Sequence, residues 1–298
     1  MTTTDFSHWA SAHQQRIEAQ LQAVLPGAEL APRRLHQAMR YAALGGGKRV
    51  RPLLAFAAGE ISRADAGRVA VAGAAVELIH AYSLVHDDMP CMDDDVLRRG
   101  KPTCHVQYDE ATALLVGDSL QTLAFQLLAE HRLNDEAARQ LEMVKLLALA
   151  SGSRGMAGGQ AIDLASVGKS LTLPELEFMH IHKTGALIRA SVALGALCAD
   201  RLSEAQLGAL DRYAKCIGLA FQVVDDALDS ESTTATLGKT AGKDEADNKP
   251  TYVKALGLSD AKALARELRA QAHEAIAPFG ASARRLSELA DFIVLRKF

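Results

Sequence analysis

The 298-residue sequence has little of what several common protein classes require. Aromatic residues make up 5% of it, and no alternating β-branched run is long enough to build a sheet. Lys and Arg form no basic tract and the formal net charge is −3, which argues against nucleic acid as a partner. The four cysteines form no CxxC pair and no histidine completes a zinc set, so we expect reduced thiols.

The sequence also lacks signals that would direct the chain to a membrane or across it. Residues 1–9 contain no basic region followed by an apolar run, so no signal peptide is predicted. The longest apolar stretches carry charges at helical spacing, so no membrane span is predicted. These absences favour a cytoplasmic protein.

What the sequence does contain is a strong helical pattern. It is rich in Ala and Leu, and its eight prolines fall between the periodic segments or at their starts, where helices tolerate them. Several segments are apolar nearly all round, as in residues 69–85 and 217–228, which is typical of helices at the centre of a bundle. Helices are predicted at residues 5–24, 32–44, 52–62, 66–88, 107–131, 135–152, 174–199, 203–229, 249–256, 260–277 and 282–296.

These helices are expected to form one all-α domain over residues 1–298, because no Pro/Ser-rich linker divides the chain. The pairs Thr172/Glu175 and Ser203/Gln206 fit capping boxes at two helix starts. The Gly-rich stretch 151–159 and the polar stretch 230–249 are predicted to be breaks or mobile loops.

A carboxylate-rich segment follows the predicted helix 66–88. Asp87 and Asp88 end this helix, and Pro90 then forces a turn that can bring Asp93 back beside Asp87. Buried charges must be paired or must coordinate metal. Carboxylate oxygens without Cys or His in ligand spacing suit a hard ion such as Mg²⁺, which keeps positions open for substrate phosphates.

A second carboxylate-rich segment ends the predicted helix 203–229. Asp225 and Asp229 are four residues apart and lie on one face, and Gln222 sits one turn earlier on nearly the same face. A solvated acidic turn is the simpler interpretation, but carboxylates at a helix C-terminus oppose the macrodipole. The face offers acceptors for a metal and an amide for an oxygen-rich ligand.

Cationic side chains accompany the acidic segments. Arg98 and Arg99 are either ion-pair partners of the carboxylates or, with metal bound there, donors to phosphate oxygens. The glycines 45–47 before Lys48 and Arg51 lack the P-loop pattern and a preceding strand. Such a turn before a helix still suits an anion, although a flexible connection with solvated charges is the alternative.

Other polar residues have more than one interpretation. His80 lies two turns before Asp87 on the same face, although a lone histidine on an apolar helix is more often a core residue. Lys183 and Thr184 interrupt an apolar helix and offer an ammonium and a hydroxyl to a phosphate. Lys239 follows a glycine in the polar stretch beyond the second acidic segment.

Five further residues receive no role from the sequence. Asp94 and Asp95 are either solvated or paired with Arg98. Gln160 and Asp163 share one face after a Gly-Gly break, and Lys249 is more consistent with a solvated loop cation.

Two acidic segments, two sets of cations and apolar helices fit a pair of ligands that each carry a diphosphate and a hydrocarbon tail. No nucleophilic Ser or Cys with a His partner is evident. The chemistry indicated is ionisation, in which metals take up charge that develops on a diphosphate leaving group.

Over essentially its whole length, the sequence resembles the bacterial short-chain trans-prenyltransferases of the polyprenyl synthetase family, most closely those that make farnesyl diphosphate. The resemblance implies the isoprenoid synthase fold, a helical bundle around a deep central cavity, and usually a homodimer. Ala227 stands where a larger aliphatic residue is usual. The motifs concerned are Gly45-Gly46-Gly47-Lys48-Arg49 through Arg51-Pro52, Asp87-Asp88 to Arg98-Arg99-Gly100 with its insert Met89-Pro90-Cys91-Met92, Gly158-Gly159-Gln160, His182-Lys183-Thr184-Gly185, and Phe221-Gln222 to Asp229.

The resemblance also implies roles for individual residues. Three Mg²⁺ ions are implied, with Mn²⁺ as a substitute, two on Asp87 and Asp93 and the third on Asp225. The residues implied for the allylic diphosphate are Arg98, Lys183, Thr184, Gln222 and Lys239, and those for isopentenyl diphosphate are Lys48, Arg51, His80 and Arg99. The expected catalytic set is Asp87, Asp88, Asp93, Arg98, Lys183, Asp225 and Lys239.

The activity implied is condensation of isopentenyl diphosphate with dimethylallyl diphosphate to geranyl diphosphate, and then with geranyl diphosphate to farnesyl diphosphate. The nearest alternative is the same chemistry continued to geranylgeranyl diphosphate. A terpene cyclase would have no need of Lys48, Arg51 and Arg99 as a second diphosphate site. A non-catalytic subunit of a heteromer would be favoured by loss of one acidic motif, and both are intact.

Tyr82 is expected to limit the length of the product. It lies five residues before Asp87, about 7.5 Å up the helix, in the direction of a growing tail. Ser83 beside it is too small to stop the tail. A packed core tyrosine with a bonded hydroxyl is the alternative, and the resemblance favours the stop.

Overall fold

The computed structural model describes residues 3–199, 202–231 and 249–296, and these residues are mostly helical, as predicted. The only strands among them are β1 (Leu97–Arg98) and β2 (Lys101–Pro102), which pair in an antiparallel hairpin. The helices, labelled over the described residues, are α1 (Thr3–Val24), α2 (Arg33–Ala43), α3 (Val50–Ser62), α4 (Ala66–Asp87), α5 (Cys104–Gln107), α6 (Glu110–Glu130), α7 (Ala137–Ser151), α8 (Met156–Ala165), α9 (Leu173–His180), a π-helical turn (Ile181–Gly185), α10 (Ala186–Leu197), α11 (Glu204–Glu231), α12 (Tyr252–Leu256), α13 (Leu258–Ile276), a 3-10 helix (Ala277–Ala283) and α14 (Arg284–Leu295).

The helices group into two compact units. One consists of Met1–Lys145 with Leu194–Arg201, and the other of Leu146–Ala193 with Leu202–Phe298. One functional domain over the whole chain stays a prediction.

Helix α4 forms the core of the first unit because its side chains are apolar on nearly every face. Asp65 caps its N-terminus by accepting the backbone N–H groups of Gly67 at 2.9 Å and Arg68 at 3.0 Å. Every residue from 69 to 79 is buried. The helix packs against α1, α2, α3 and α6. Its C-terminal end, which carries the first acidic segment, is therefore held by surrounding helices.

In the second unit, α11 and α13 pack along each other and enclose an apolar core. Tyr213 of α11 is fully buried, and its hydroxyl donates to the Leu286 carbonyl oxygen at 2.6 Å. This bond fixes α14 to α11 in a core where an unpaired hydroxyl would be costly. The buried members of the core include Leu176, Met179, Ala220, Val223, Val224, Tyr252, Ala261, Ala265 and Leu268.

Both predicted capping boxes are present. The Thr172 backbone N–H donates to the Glu175 carboxylate at 2.8 Å, at the start of α9. The Ser203 N–H donates to Gln206 Oε1 at 2.9 Å, and the Gln206 N–H donates to Ser203 Oγ at 3.3 Å. The side-chain spacing alone was sufficient to predict these helix starts.

The break predicted in the Gly-rich stretch 151–159 is present at residues 152–155, between the end of α7 and the start of α8, whereas residues 156–159 already belong to α8. A Cβ atom on Gly155 would lie 2.3 Å from the Ala150 carbonyl oxygen, and one on Gly158 would lie 2.1 Å from that of Ser153. A Cβ on Gly159 would lie 2.1 Å from the Lys183 backbone nitrogen. These glycines allow the backbones to approach each other closely. Glycine has a low helix propensity, so the sequence pattern predicted a break at residues 156–159, where the chain is helical. Residues 232–248 of the polar stretch lie outside the described residues.

The predicted helix 174–199 is three elements rather than one. It consists of α9, the π-helical turn Ile181–Gly185 and α10. Gly185 packs on α11, where a Cβ on Gly218 would lie 2.9 Å from the Gly185 Cα. The predicted helix 107–131 corresponds to α6, and the short helix α5 precedes it.

Two helices, α4 and α6, are long and apolar enough to cross a membrane by length and composition alone. In α4, 78% of the most apolar window is buried inside the protein, as in a core helix, whereas in α6 the share is 39%. The absence of a membrane span stays a prediction.

Gly195 is expected to be essential for packing α10 on α3. A Cβ there would lie 2.0 Å from the Ala55 carbonyl oxygen and 2.7 Å from the Ala55 Cα, so the backbones must separate. Gly195→Ala should lower the free energy of unfolding by about 1–3 kcal/mol, measured by urea denaturation. The control is Gly208→Ala in α11, where the nearest atom would lie 3.8 Å from the new Cβ. It should raise stability by about 0.5–1 kcal/mol, and equal effects of the two changes would contradict the packing argument.

Candidate active site

The turn after α4 brings Asp93 back to Asp87. The Asp93 backbone N–H donates to the Asp87 carbonyl oxygen at 2.8 Å, and the Asp95 N–H donates to the Asp88 carbonyl oxygen at 3.1 Å. The Met92 N–H donates to the Met89 carbonyl oxygen at 2.8 Å within the insert. The insert therefore closes a tight loop, as the proline after Met89 predicted.

Asp88 holds Arg98. Its carboxylate is buried and accepts Arg98 Nε at 2.9 Å and Nη2 at 2.5 Å, while Asp95 lies 3.8 Å from the same Nη2. Burial lowers the pKa of Arg98, but the hydrogen bond and charge of Asp88 outweigh it and leave the pKa raised. Arg98 thus stays charged, and its hydrogen bonds to Asp88 fix the orientation of its side chain. Of the two aspartates left open by the sequence, Asp95 contacts Arg98, whereas Asp94 is exposed with a left-handed backbone.

Arg49, which sequence reasoning did not single out, anchors the glycine-rich loop. Its side chain is 4% exposed and pairs with Glu77 at 2.7 Å and with Glu18 at 2.8 Å. Its Nη2 also donates to the Ala43 carbonyl oxygen at 2.9 Å. Glu18 in addition accepts the Gly45 N–H at 3.0 Å, so one carboxylate binds both ends of the loop. In the sequence, the only indication of this role was an arginine next to Lys48, because its partners Glu18 and Glu77 are far away along the chain.

The loop backbone is one that few residues other than glycine adopt. Gly45, Gly46 and Gly47 have φ angles of +96°, +101° and +113°. Arg99 Nη1 donates to the Gly46 carbonyl oxygen at 2.7 Å, and a Cβ on Gly47 would lie 2.5 Å from the same Nη1. The structure therefore brings the cations of two distant sequence motifs together.

His80 lies within the field of these guanidinium groups. Burial lowers its pKa well below the ordinary value, and Arg51, Arg99, Arg98 and Arg49 lower it further. His80 is therefore neutral at pH 7 and can offer a ring N–H rather than a charge. Burial also lowers the pKa of Arg99, and Arg49 and Arg98 add to the effect. An anion bound here would relieve the repulsion among the arginines. Lys48 is exposed and Arg51 is half-buried.

A cavity of about 90 Å³ adjoins these cations in the first unit. Asp88, Arg98 and Arg99 line it together with Lys101 and Gly45. On α4 it borders Ala81 and Val85, a face adjacent to the one that carries His80 and Asp87.

Tyr82 is buried on the side of α4 that faces α6. Its ring contacts His86 edge to face with centroids 5.8 Å apart, and its hydroxyl is hydrogen-bonded to Gln121. The Ser83 hydroxyl donates to the His80 carbonyl oxygen at 2.9 Å. Tyr82 therefore has the bonded hydroxyl of a core tyrosine, and its role in product length stays a prediction.

In the second unit, the π-helical turn presents Lys183 to Asp163 of α8. Lys183 Nζ lies 2.5 Å from Asp163 Oδ2, and Lys249 Nζ lies 3.9 Å from the same oxygen. Burial would raise the pKa of Asp163, but these ammonium groups leave it lowered. Asp163 is thus a charged anchor for Lys183. Lys249 lies beside this pair, where the sequence had favoured a solvated position.

Thr184 and Gln222 come together on a buried carboxylate. The Thr184 hydroxyl donates to Gln222 Oε1 at 3.2 Å, and Gln222 Nε2 donates to Asp226 Oδ1 at 2.8 Å. The Tyr252 backbone N–H donates to the other carboxylate oxygen of Asp226 at 2.8 Å. Asp226, for which the sequence gave no role, therefore orients Gln222.

Asp225 is the half-exposed carboxylate of the second acidic segment, whereas Asp229 is buried. Arg296, which follows α14 and was missed by sequence reasoning, donates to the Asp225 carboxylate. Lys239, predicted to bind diphosphate, lies outside the described residues.

The described residues contain no group of three or more His, Cys, Asp or Glu side chains that could hold a metal by themselves. Mg²⁺ is usually bound by one or two carboxylates, with waters and substrate phosphates completing its octahedron. Asp87 and Asp93, joined through their backbones, and the half-exposed Asp225 are carboxylates of this kind. The donor set fits an ion that binds together with a diphosphate.

Comparison with known proteins identifies the family. Residues 32–280 match the polyprenyl synthetase family. The chain belongs to this family. The prediction of a short-chain prenyltransferase is therefore confirmed.

Relatives of this prenyltransferase match it over most of their length. It is 46% identical to the farnesyl diphosphate synthase of Haemophilus influenzae, over 98% of this chain and 99% of that one. It is 50% identical to the farnesyl diphosphate synthase of Escherichia coli, over 87% and 88%. It is 46% identical to the chloroplastic geranylgeranyl pyrophosphate synthase of Capsicum annuum, over 89% and 72%.

Solved structures share the fold of this prenyltransferase. An FPP/GFPP synthase from Zymomonas mobilis is similar with a TM-score of 0.88 and 41% identity, over 98% of this chain and 100% of that one. A geranyltransferase from Helicobacter pylori, in complex with magnesium and isoprenyl diphosphate, has a TM-score of 0.85 and 32% identity, over 99% and 98%. The predicted isoprenoid synthase fold is confirmed.

His180, next to the π-helical turn, is buried, and neither ring nitrogen has a hydrogen-bond partner. Burial, together with Lys183, lowers the pKa of His180 to about 3, although Asp163 opposes the shift. The unfolded chain takes up this proton near pH 6.5, so stability is full above that pH and falls as the pH decreases towards 3.

His180→Phe should flatten this pH dependence, because Phe keeps the ring that stacks on Tyr252 and removes the titrating group. Between pH 6.5 and 4.5 the wild-type protein should lose up to about 1.4 kcal/mol of unfolding free energy per pH unit relative to the variant. Urea denaturation across this range measures the difference. A constant difference between the two proteins would show that His180 does not titrate as inferred.

Proposed function

We propose that the chain is a farnesyl diphosphate synthase, which condenses isopentenyl diphosphate with dimethylallyl diphosphate and then with geranyl diphosphate. The observation that carries the proposal is the presence of two carboxylate segments, each with cations held by buried carboxylates, in a chain 46% and 50% identical to farnesyl diphosphate synthases. Relatives that make geranylgeranyl diphosphate leave a longer product as the alternative.

Members of this family generally depend on a divalent metal. We propose three Mg²⁺ ions, replaceable by Mn²⁺, with Asp87 and Asp93 holding two and Asp225 the third. When bound, the ions supply positive charge for the diphosphate that departs. The magnesium and isoprenyl diphosphate in the Helicobacter pylori relative support this assignment.

For the allylic diphosphate, we propose Arg98, Lys183, Thr184 and Gln222, with Lys239 assigned from the sequence alone. Asp88 directs Arg98, and Asp163 directs Lys183, so both cations are oriented before the substrate arrives. Charges fixed in advance stabilise a developing diphosphate without reorganisation during the reaction.

For isopentenyl diphosphate, we propose Arg51, Arg99, Lys48 and neutral His80. The glycine loop, which Arg49 anchors, positions Arg99, because the Gly46 carbonyl oxygen accepts a hydrogen bond from the Arg99 side chain. Here the chain binds and orients the second substrate so that its double bond attacks the allylic cation, after which a proton passes to the departing diphosphate.

We propose that the enzyme works in the cytoplasm as a homodimer. Helix α6 supports the dimer, because Leu114 and Leu115 are 48% and 53% exposed on a strongly apolar helix. Exposed apolar surface of this kind favours association.

Incubation with isopentenyl and dimethylallyl diphosphates and Mg²⁺, followed by chromatographic sizing of the products, tests the function. The expected main product has fifteen carbons, and geranyl diphosphate should replace dimethylallyl diphosphate as a substrate. A main product of twenty carbons would support the geranylgeranyl alternative, and the absence of any condensation product would overturn the proposal.

Asp87→Asn and Asp225→Asn should each reduce kcat by about 10²–10³, because each removes one charge that stabilises the transition state. Asp94→Asn is the matched control, since Asp94 is exposed and asparagine tolerates its left-handed backbone. It should retain nearly full activity. Normal turnover of either first variant, or of the wild-type enzyme in excess chelator, would contradict the metal assignment.

Tyr82→Ala should extend the product to twenty carbons or more, because it removes the ring proposed to stop the tail. Tyr82→Phe keeps the ring and loses only the hydroxyl bonded to Gln121. It should still give fifteen carbons. A folded Tyr82→Ala enzyme that also stops at fifteen carbons would show that Tyr82 is a core residue only.

A further inference from the structure

Arg296 is bound tightly to α11 although it lies beyond the end of α14. Its side chain is 5% exposed, and its guanidinium carbon lies 4.2 Å from the centre of the Phe221 ring. Its Nη2 donates to the Phe221 carbonyl oxygen at 3.3 Å and to the Asp225 carboxylate. The guanidinium therefore spans one turn of α11 and ends on the carboxylate proposed to hold a metal.

Helix α14, which precedes Arg296, is held in place independently of this contact. Leu286, Leu289, Ala290 and Ile293 of α14 are buried, and Leu286 accepts the Tyr213 hydroxyl. The packing of α14 therefore does not depend on the contact between Arg296 and Asp225. Arg296 Nε is buried without a hydrogen-bond partner.

We infer that Arg296 is a counterion of Asp225 in the metal-free enzyme and competes with the divalent ion for this carboxylate. The inference rests on the proposed function, which makes Asp225 a metal ligand. A guanidinium and a divalent cation on one carboxylate repel each other at short range. The arginine therefore has to withdraw from Asp225, wholly or in part, when the ion binds.

This competition would link metal binding to the position of the segment that follows α14. While the metal site is empty, Arg296 neutralises Asp225 and holds the residue after α14 against Phe221. Binding of a divalent ion together with a diphosphate would displace the Arg296 guanidinium from Asp225. The ion would then bind to Asp225 less tightly than it would without Arg296. This reduction in affinity is smaller when the diphosphate supplies further ligands to the ion.

The test measures the Mg²⁺ concentration at which a non-reactive allylic analogue, geranyl thiolodiphosphate, reaches half-maximal binding to the full-length protein, by calorimetry. Arg296→Gln should lower this midpoint by about threefold to tenfold, in line with the loss of one partly buried ion pair. Arg296→Lys, which keeps the charge without the planar fork, should lie between Arg296→Gln and the wild-type protein. Arg285→Gln is the control, because Arg285 of α14 pairs with Glu288 instead, and it should leave the midpoint unchanged.

A double-mutant cycle with Asp225→Asn separates the outcomes. Asp225→Asn alone should raise the midpoint, and adding Arg296→Gln to it should change nothing further. If Asp225→Asn leaves the midpoint unchanged, the metal assignment of the proposed function is wrong. If Asp225→Asn raises the midpoint but Arg296→Gln leaves it unchanged or raises it as well, the competition is wrong while the function stands. Arg296→Lys, as the more conservative change, decides the case should the glutamine variant fail to fold.

Discussion

The buried ion pairs of Arg49 with Glu77 and Glu18 support the cationic site of the first unit. A guanidinium with 4% of its surface exposed needs both carboxylates, since a lone buried charge would be strongly destabilising. Glu18 also binds Gly45, so the same pairing fixes the glycine loop and the carbonyl oxygen that accepts Arg99. Removing one partner would therefore disturb the site as well as the fold.

The same arrangement recurs where cations face the proposed substrates. Arg98 is paired with buried Asp88, and Lys183 with buried Asp163. Each carboxylate restricts the direction of its cation, while the pair remains accessible enough for the cation to gain a second anionic partner. Such positioning lowers the reorganisation required when a diphosphate binds. It also explains why two aspartates that look alike in the sequence, Asp87 and Asp88, have different surroundings.

Local patterns predicted the fold well and long-range contacts poorly. The apolar spacing of α4 and α11, the two capping boxes and the return of Asp93 depend on neighbours within a few residues. Arg296 reaches a carboxylate 71 residues away, which no spacing rule contains. The start of α8 was missed because its glycines serve close backbone packing, and the π-helical turn has no distinctive composition. Asp226 was missed because its partner, the Tyr252 backbone N–H, follows an intervening segment.

Near the proposed substrate cations of the second unit, two buried side chains have polar atoms without hydrogen bonds. Both polar atoms of the Gln160 amide and both ring nitrogens of His180 are buried without hydrogen bonds. Each such group costs about 1–3 kcal/mol relative to a satisfied one. Elsewhere in this unit, Tyr213 and Asp226 make hydrogen bonds, and the start of α9 has a capping box. A core selected for stability alone would place apolar residues at positions 160 and 180. Their polarity beside Lys183 and Asp163 is best explained by selection for the site. The packing of the surrounding helices offsets the resulting loss of unfolding free energy.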